Sequence, residues 1–501
     1  MKIPAIPVSI LAAFVCVSVY ASPAPSGEID NLVFDKLAQL EIQPAKLCSD
    51  EVFVRRVFLD VIGTLPTAQE ARQFLSDTNP GKRSVLIEQL LQRDEFADYR
   101  AMKWGNLLRI KSEFPINLWP NAAQSYHQWI RNSIRDNMPF DRFARELLTA
   151  SGSNMRRPQV NFYRAVQNRS PEGIAGAVAL TFMGMRLENQ PAEKIADMAA
   201  FFSCVGYKTT AEWKEEIVFF DLTKPLVPLP SIFPDGTPVK LSPAQDPRAV
   251  FVDWLVAPEN KFFARAATNR VWYWLLGRGI IHEPDDIRPD NPPSNPELLD
   301  CLTHELVASG YDMKHLFRII LNSRAYQLSS TPASSHPQAE DNFAFYPVRR
   351  LEAEVLIDAI NQITGSKEKY VSRIPEPFTY MPEEQRAIAL ADASISSTFL
   401  ELFGRSPRDT GLESEQRNPI PTAAQQLHLL NSSHIRDKLE QNVKLRSVSG
   451  NALDELYLTI LSRLPTNDER EIVRIYQRSA DQAGPDIAWA LINTAEFQFR
   501  H

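Results

Sequence analysis

Glycine and cysteine are scarce in this sequence, with 18 glycines and 4 cysteines among 501 residues. So little glycine argues against a β-barrel or a β-propeller, which need many tight turns. No two cysteines form a Cys-X-X-Cys pair. If Cys16 is removed with an export signal, Cys48, Cys204 and Cys301 are left, and an odd number leaves at least one thiol outside any disulfide. The chain is therefore not a disulfide scaffold. The sequence does not decide whether two of these three cysteines form one disulfide.

Only the N-terminus carries a long apolar run, at residues 10–20 behind Lys2. The run is too short to span a bilayer comfortably, and residues 19–21 fit a small-residue cleavage site. We predict a signal peptide over residues 1–21 and a mature chain that begins near Ser22, with an uncleaved N-terminal anchor as the alternative. The protein is then exported to the periplasm or the cell surface, with no transmembrane segment after signal cleavage.

The sequence also has no excess of positively charged residues. The chain has 54 Lys and Arg against 61 Asp and Glu, which gives a formal net charge of −7 at pH 7. A mildly acidic chain exerts no long-range attraction on nucleic acid, so we expect no nucleic-acid partner. The sequence contains no Gly-X-Ser-X-Gly motif, Walker loop or dinucleotide-binding fingerprint, which removes the enzyme classes that are easiest to recognise.

Proline is abundant, with 37 residues, and helical patterns fill most of the chain. Thr67 and Glu70 have the capping-box spacing at the start of one such pattern. The proline-rich segment 206–247 differs, because it holds the strand-like run 216–222 and a turn signal at 234–236. These patterns predict a mainly α fold, with two multi-helical domains joined by a small proline-rich β/turn insert.

The expected domain boundaries are residues 22–205 for the N-terminal helical domain, 206–247 for the insert and 248–501 for the C-terminal helical domain. Gly277 ends one predicted helix, and Asn295 and Asp312 cap the two helices that follow. Leu-Pro-Thr followed by a glutamate occurs twice, at 65–70 and at 464–469. The two copies mark either a weak internal repeat or simply a favourable way to start a helix.

Several long stretches resemble a pair of domains of unknown function. They are FLDVIGTLPTAQEARQFL, KRSVLIEQLL and WGNLLRI in the first half, and residues 262–300, 310–330, 349–360 and 402–409 in the second. The chain is similar over nearly its whole mature length to this family of planctomycetes and related bacteria. The paired domains of the family often lie beside, or are fused to, c-type cytochrome domains, and no biochemical activity is agreed for them.

The chain departs from that family where haem would be attached. The resemblance implies a Cys-X-X-Cys-His segment between Arg186 and Ala200, since two thiols and an imidazole hold c-type haem. Residues 187–199 contain no cysteine and no histidine. A second family motif with two cysteines is matched by Leu412 and Ser414, which have no thiol. Covalent haem c is therefore excluded, and we infer a member that lost its redox centre and kept its helical body.

One acidic stretch carries the main candidate chemistry. Glu283, Asp285, Asp286 and Asp290 lie within eight positions beside Arg288, among prolines, and we call residues 283–290 the acidic elbow. Four carboxylates suit Ca²⁺, and a pair of them could act as acid and base on a glycosidic bond. The alternative is a stiff connector between two helices, with Arg288 neutralising the acids.

Two further groups have both a functional and a structural interpretation. Cys301, His304 and His315 could contribute to a zinc site, but a surface histidine fits position 304 better. Residues 272–274 are Trp-Tyr-Trp, which could stack on sugars but more often pack a core. Arg270, four residues before Trp274, could make a cation–π contact with it.

Taken together, the residues predict an exported helical scaffold or binding protein that lacks the haem site of its relatives. The alternative is a periplasmic carbohydrate-active hydrolase or lyase that uses Asp285, Asp286 or Asp290 with Arg288. Electron transfer comes third. We expect no cofactor, although Ca²⁺ is possible at the four elbow acids, and the expected partners are other exported or cell-envelope proteins or a polysaccharide.

Overall fold

The computed structural model describes residues 25–224, 231–242, 245–413, 421–442, 451–478 and 483–501. The predicted signal peptide and cleavage site lie outside the described residues. Helices dominate the described chain, and the strands are few and short. The predicted fold class, mainly α with several helices on either side of a short β segment, is confirmed. No described helix is both long and apolar enough to cross a membrane.

Ten α-helices precede the β segment in the described chain. They are α1 (Pro25–Gln39), α2 (Asp50–Val61), α3 (Ala68–Ser76), α4 (Lys82–Leu91), α5 (Asp94–Leu107), α6 (Pro120–Arg135), α7 (Phe140–Leu148), α8 (Asn161–Arg164), α9 (Pro171–Val178) and α10 (Ala192–Ala200). A π-helical turn, Ala179–Met183, continues α9 and ends at Gly184, whose φ of 61° is left-handed.

A second set of helices follows the β segment. They are α11 (Pro247–Leu255), α12 (Phe263–Leu276), α13 (Pro296–Ala308), α14 (Met313–Asn322), α15 (Ala353–Thr364), α16 (Thr398–Leu402), α17 (Ala423–Asn431), α18 (Ser433–Glu440), α19 (Asn451–Leu461), α20 (Asn467–Tyr476), α21 (Ala483–Ile492) and α22 (Ala495–Gln498). The predicted caps are confirmed: Asn295 accepts from the N–H of Leu298, and Asp312 from that of His315.

Short antiparallel strands make up the β structure of the described chain. They are β1 (Gly152–Ser153), β2 (Val205–Thr209), β3 (Glu216–Phe220), β4 (Ser231–Ile232), β5 (Pro238–Val239), β6 (Arg349–Arg350) and β7 (Phe499–Arg500). The first three form one sheet in the order β1-β3-β2. The predicted turn is confirmed between β4 and β5, where Gly236 has a φ of 90° and its N–H donates to the Phe233 carbonyl.

The repeated Leu-Pro-Thr segments start helices by one mechanism. The Thr67 side chain accepts from the N–H of Glu70, whose carboxylate accepts from the N–H of Thr67, and Thr466 and Glu469 do the same for α20. Thr422 and Gln425 form a third capping box at α17. The predicted capping boxes are confirmed, and they account for the recurring sequence without requiring a repeat.

The buried apolar side chains form two clusters that do not follow the family-like halves of the sequence. One cluster runs from Ile29 to Tyr346 and includes side chains on both sides of the β insert. The other is built mainly from Leu351 to Phe497, but it also takes in Leu59 and Tyr99 from the N-terminal helices. The predicted domain boundaries stay a prediction, while the packing joins the early helices to both later regions.

A buried carboxylate on α2 ties these regions together. The Asp60 side chain is fully buried and accepts hydrogen bonds from the hydroxyls of Tyr326 (2.9 Å) and Tyr346 (2.7 Å). Guanidinium nitrogens of Arg349 and Arg500 lie 3.2 Å and 3.5 Å from its other oxygen. We call these five residues the Asp60 hub. Burying one charge is tolerated here because two cations and two hydroxyls surround it.

Replacing Asp60 should be strongly destabilising. Asp60→Ala leaves Arg349 and Arg500 buried without this partner, and breaking a buried ion pair costs about 3–5 kcal/mol. The measurement is the free energy of unfolding in urea, followed by circular dichroism. The control is Glu51→Ala, an exposed acid on the same helix, which should change stability by less than about 0.5 kcal/mol. Equal stability of the two variants would contradict the role given to the Asp60 hub.

Candidate functional site: the acidic elbow and its groove

The acidic elbow lies in the connector between α12 and α13. The connector begins at Gly277, whose φ of 76° ends α12, and it stops at Asn295, which caps α13. The Asn269 side chain holds it from inside, donating to the Ile281 carbonyl (2.9 Å) and accepting from the Ile281 N–H (2.8 Å). The N–H of Ile287 donates to the carbonyl of Gly184 at 2.9 Å. The connector is thus fixed to the turn that precedes residues 187–199.

Asp285 points inward, away from solvent. Its side chain has 0% exposure, and its Oδ1 lies 3.5 Å from a guanidinium nitrogen of Arg270. Its Oδ2 accepts from the backbone N–H of Glu413 at 2.5 Å. A carboxylate in this position cannot reach a polymeric substrate. Its geometry is that of a structural anion which fixes the elbow against two other segments.

Arg270 is the centre of this arrangement. Its Nη1 donates to the Thr181 carbonyl at 2.9 Å and its Nη2 to the Leu180 carbonyl at 3.3 Å, both in the π-helical turn. Its Nε lies 3.4 Å from the Glu413 carboxylate, which also accepts from the indole N–H of Trp274. We call Arg270, Trp274, Asp285 and Glu413 the Arg270 cluster. It joins the π-helical turn, α12, the elbow and the segment that ends at Glu413.

The contacts of α12 correct one prediction and confirm another. The predicted cation–π contact between Arg270 and Trp274 is wrong: the guanidinium near the Trp274 ring is that of Arg100, 5.8 Å from the ring centroid. Arg270 instead faces carboxylates and carbonyls, which are stronger partners for a buried cation. Trp272, Tyr273 and Trp274 are buried, so their interpretation as core residues is confirmed.

The other elbow acids are each close to an arginine. Arg288 contacts Asp286 at 3.1 Å and Asp290 at 3.2 Å. The Asp286 side chain is 25% exposed and the Asp290 side chain 74% exposed. Glu283 lies 3.7 Å from a guanidinium nitrogen of Arg186. The structure therefore brings Asp286, Arg288 and Asp290 together at the surface, but it places Asp285 in the interior.

The described part of the chain contains no set of side chains that would form the predicted metal sites. Within it, no group of three or more His, Cys, Asp or Glu side chains is placed to hold a metal ion. His315 contacts Glu305 at 3.2 Å, on the neighbouring helix. Cys48, Cys204 and Cys301 are all thiols rather than disulfides, and burial raises the pKa of the Cys301 thiol. Binding of Ca²⁺ at the elbow stays a prediction.

An apolar groove of about 490 Å³ lies beside the elbow. We call it the elbow groove, and it is formed by α10, the β4–β5 hairpin, the start of α12 and the elbow itself. Among the side chains that line it are Met198, Phe233, Phe262, Ile281, Ile287 and Pro293. Its aromatic wall is fixed by stacking, since the Phe233 and Trp254 rings are 4.9 Å apart and nearly parallel. The groove leaves no pattern in the sequence, because its walls come from four separate segments.

The shortened segment 187–199 forms part of the groove wall. It folds as a 3-10 turn, Leu187–Asn189, followed by α10, and both Leu187 and Met198 line the groove. No cysteine or histidine of this segment is available for haem, so the donor set does not fit covalent haem c. His127 lies on α6 within the first set of helices, and His428 lies on α17, where it is hydrogen-bonded to His434 at 3.3 Å.

Comparison with protein families finds two matches. Residues 28–199 match the family described as "Protein of unknown function (DUF1549)", PSCyt2, and residues 247–476 match "Protein of unknown function (DUF1553)", PSD1. The chain belongs to the family that pairs these two domains. This is the planctomycete-type, cytochrome-associated pair, as the resemblance predicted. No curated protein and no solved structure matches the chain.

In this member of the PSCyt2–PSD1 family, the Arg270 cluster connects the two matched regions. Thr181 and Leu180 belong to the first region, whereas Arg270, Asp285 and Glu413 belong to the second. Ser414, Glu415 and Gln416, which follow in the second cysteine-replaced motif, lie outside the described residues. Glu413, which lies between Leu412 and Ser414 in that motif, has a structural role: it accepts from the indole N–H of Trp274, and its backbone N–H donates to Asp285.

Replacing Asp285 should lower the free energy of unfolding strongly, whereas replacing Asp290 should change it little. Asp285→Ala removes an anion from beside buried Arg270, and the loss should be about 3–5 kcal/mol in the free energy of unfolding. Asp290→Ala removes an exposed acid whose ion pair is worth at most about 1 kcal/mol. Urea unfolding of both variants makes the comparison. If Asp285→Ala were as stable as the wild type, the structural assignment would be wrong.

His127 should make the folded state sensitive to acid. Burial, with help from Arg408 and Arg131, lowers the pKa of this imidazole to about 3. Below about pH 6.5 the unfolded chain binds a proton at this histidine and the folded protein does not, so stability falls as the pH falls from about 6.5 towards 3. His127→Gln should make the slope of unfolding free energy against pH shallower by up to about 1.4 kcal/mol per pH unit.

The control for this measurement is His304→Gln, at an exposed position. Unfolding free energies of both variants and the wild type are measured between pH 4 and pH 7. The His304 variant should keep the wild-type slope. An unchanged slope in the His127 variant would show that this imidazole is protonated in the folded state.

Proposed function

We propose that this protein is an exported, non-enzymatic binding protein that holds a ligand in the elbow groove and carries no covalent haem. The observation that carries the proposal is the position of Asp285. The most deeply placed elbow acid is fully buried against Arg270 and the backbone of Glu413, so the elbow supports the groove wall instead of presenting a catalytic pair.

The groove has the character of a ligand site. Its volume of about 490 Å³ is within the range of about 300–1,000 Å³ that is usual for small-molecule pockets, and its lining is mainly apolar with a few polar groups. Its walls are preorganised by the Phe233–Trp254 stack and by the Ile287 to Gly184 hydrogen bond. A preformed wall lowers the ordering cost of binding.

The alternative is a hydrolase or lyase that acts on polysaccharide. It would have to rely on Asp286, Asp290 and Arg288, because Asp285 has no exposed surface. Those two carboxylates share one arginine, Arg288, at 3.1 Å and 3.2 Å, so both are already engaged in ion pairs. The binding role therefore fits the elbow better.

Binding in the groove can be tested with the uncharged fluorescent probe N-phenyl-1-naphthylamine. We expect a saturable rise in its fluorescence, because the probe enters an apolar environment. Ile232→Asp places a carboxylate in the groove wall and should weaken binding at least about tenfold. Ile472→Asp is the matched control, since Ile472 is an exposed apolar side chain on α20, far from the groove lining. Equal probe binding by both variants would refute the proposed site.

A further inference from the structure

The lining of the elbow groove holds more cationic than acidic residues. Among the described residues that line it, Lys194, Lys261, Arg265 and Arg288 are cationic and Asp197 is the one acid. The whole chain has a formal net charge of −7. A groove rich in cations on an acidic protein is therefore a local departure from the average charge. Such a concentration of one sign attracts a ligand of the opposite sign.

The four cations are not equivalent. Arg265 lies 3.6 Å from Asp300, and Arg288 contacts Asp286 and Asp290. Lys194 and Lys261 make no ion pair with any acid in the described residues. Lys194 comes from α10 and Lys261 from the approach to α12, so two separate elements contribute ammonium groups to the same groove.

The remaining lining of the elbow groove is largely apolar, and we call its buried and partly buried apolar side chains the floor of the groove. Met185, Leu187, Met198, Phe233, Ile281 and Ile287 supply aliphatic, thioether and aromatic groups. An apolar floor together with cationic side chains matches a molecule with an apolar body and an anionic head. An uncharged apolar ligand would leave the lysines unused, and a small inorganic anion would leave the floor uncovered.

We propose that the ligand of the elbow groove is a long-chain carboxylate, whose chain lies on the apolar floor and whose head group is held by Lys194 and Lys261. This inference rests on the proposed binding function and adds the chemical class of the ligand. Ammonium groups recognise a carboxylate by charge and hydrogen bonding. The apolar floor adds affinity with chain length, at about fourfold for each further buried methylene.

The test is isothermal titration calorimetry of the full mature chain with three twelve-carbon probes below their micelle concentrations. The probes are dodecanoate, 1-dodecanol and dodecyltrimethylammonium, which share a chain and differ in the charge of the head. We expect dodecanoate to bind at one site and at least about tenfold more tightly than dodecyltrimethylammonium. Octanoate should bind more weakly than dodecanoate.

The decisive variant is Lys194→Glu combined with Lys261→Glu. It should weaken dodecanoate binding at least about tenfold and leave the affinity for 1-dodecanol unchanged, because the floor is untouched. The control is Lys46→Glu combined with Lys208→Glu, an equal charge change at exposed positions outside the groove lining. This control should keep the wild-type affinity for dodecanoate.

The outcomes separate this inference from the proposed function. Equal affinity for all three probes would overturn the carboxylate assignment while the groove remained a binding site. Equal loss of dodecanoate binding in both double variants would show a non-specific charge effect and would also overturn it. The N-phenyl-1-naphthylamine experiment tests only whether the groove binds an apolar molecule, because this probe carries no charge. Its failure would overturn the proposed binding function itself.

Discussion

The burial of the Arg270 guanidinium is the constraint on which the candidate site depends. A buried cation is tolerated only when carboxylates or carbonyls surround it closely. Arg270 meets this requirement with carbonyls from the π-helical turn, with Asp285 from the elbow and with Glu413. Each partner belongs to a different segment, so satisfying one charge fixes the positions of all of them. The elbow groove lies between the elbow and the chain that follows the π-helical turn, and Arg270 fixes both the elbow and that turn.

This constraint also bears on residues 187–199, where the family resemblance implies a haem motif that this sequence lacks. In this chain the shortened segment 187–199 folds as a turn and α10, and its Leu187 and Met198 line an apolar groove. Arg270 and Asp285 hold the neighbouring segments in place. Under the proposed function, the segment where the family resemblance implies a haem-attachment motif forms the wall of a site for an exchangeable ligand.

Local features were predictable from the sequence, and long-range ones were not. The capping box at Thr67, the caps at Asn295 and Asp312 and the turn at Gly236 follow from interactions within a few residues, and all were found. The elbow was also identified as a stiff connector from its prolines. Arg270 was assigned the wrong partner, because a helical neighbour four residues away is visible in the sequence. Thr181 and Glu413 become neighbours of Arg270 only in the fold.

The elbow groove and the Asp60 hub were missed for a related reason. A groove wall built from α10, a hairpin, α12 and the elbow leaves no contiguous pattern, and Lys194 and Lys261 look like ordinary surface lysines in the sequence. Asp60 reads as a polar residue on an amphipathic helix, yet it is fully buried. Its burial is decided by tyrosines and arginines that come much later in the chain.

The Asp60 hub also limits the order in which parts of the protein can fold. A ribosome or a translocation channel delivers α2 early, while Arg349 and Arg500 emerge late. Until they arrive, the carboxylate on α2 lacks two of the cations around it, and the early helices lack part of their interior. Contacts of such long sequence separation slow folding, so the hub forms only after the C-terminal residues have joined the fold.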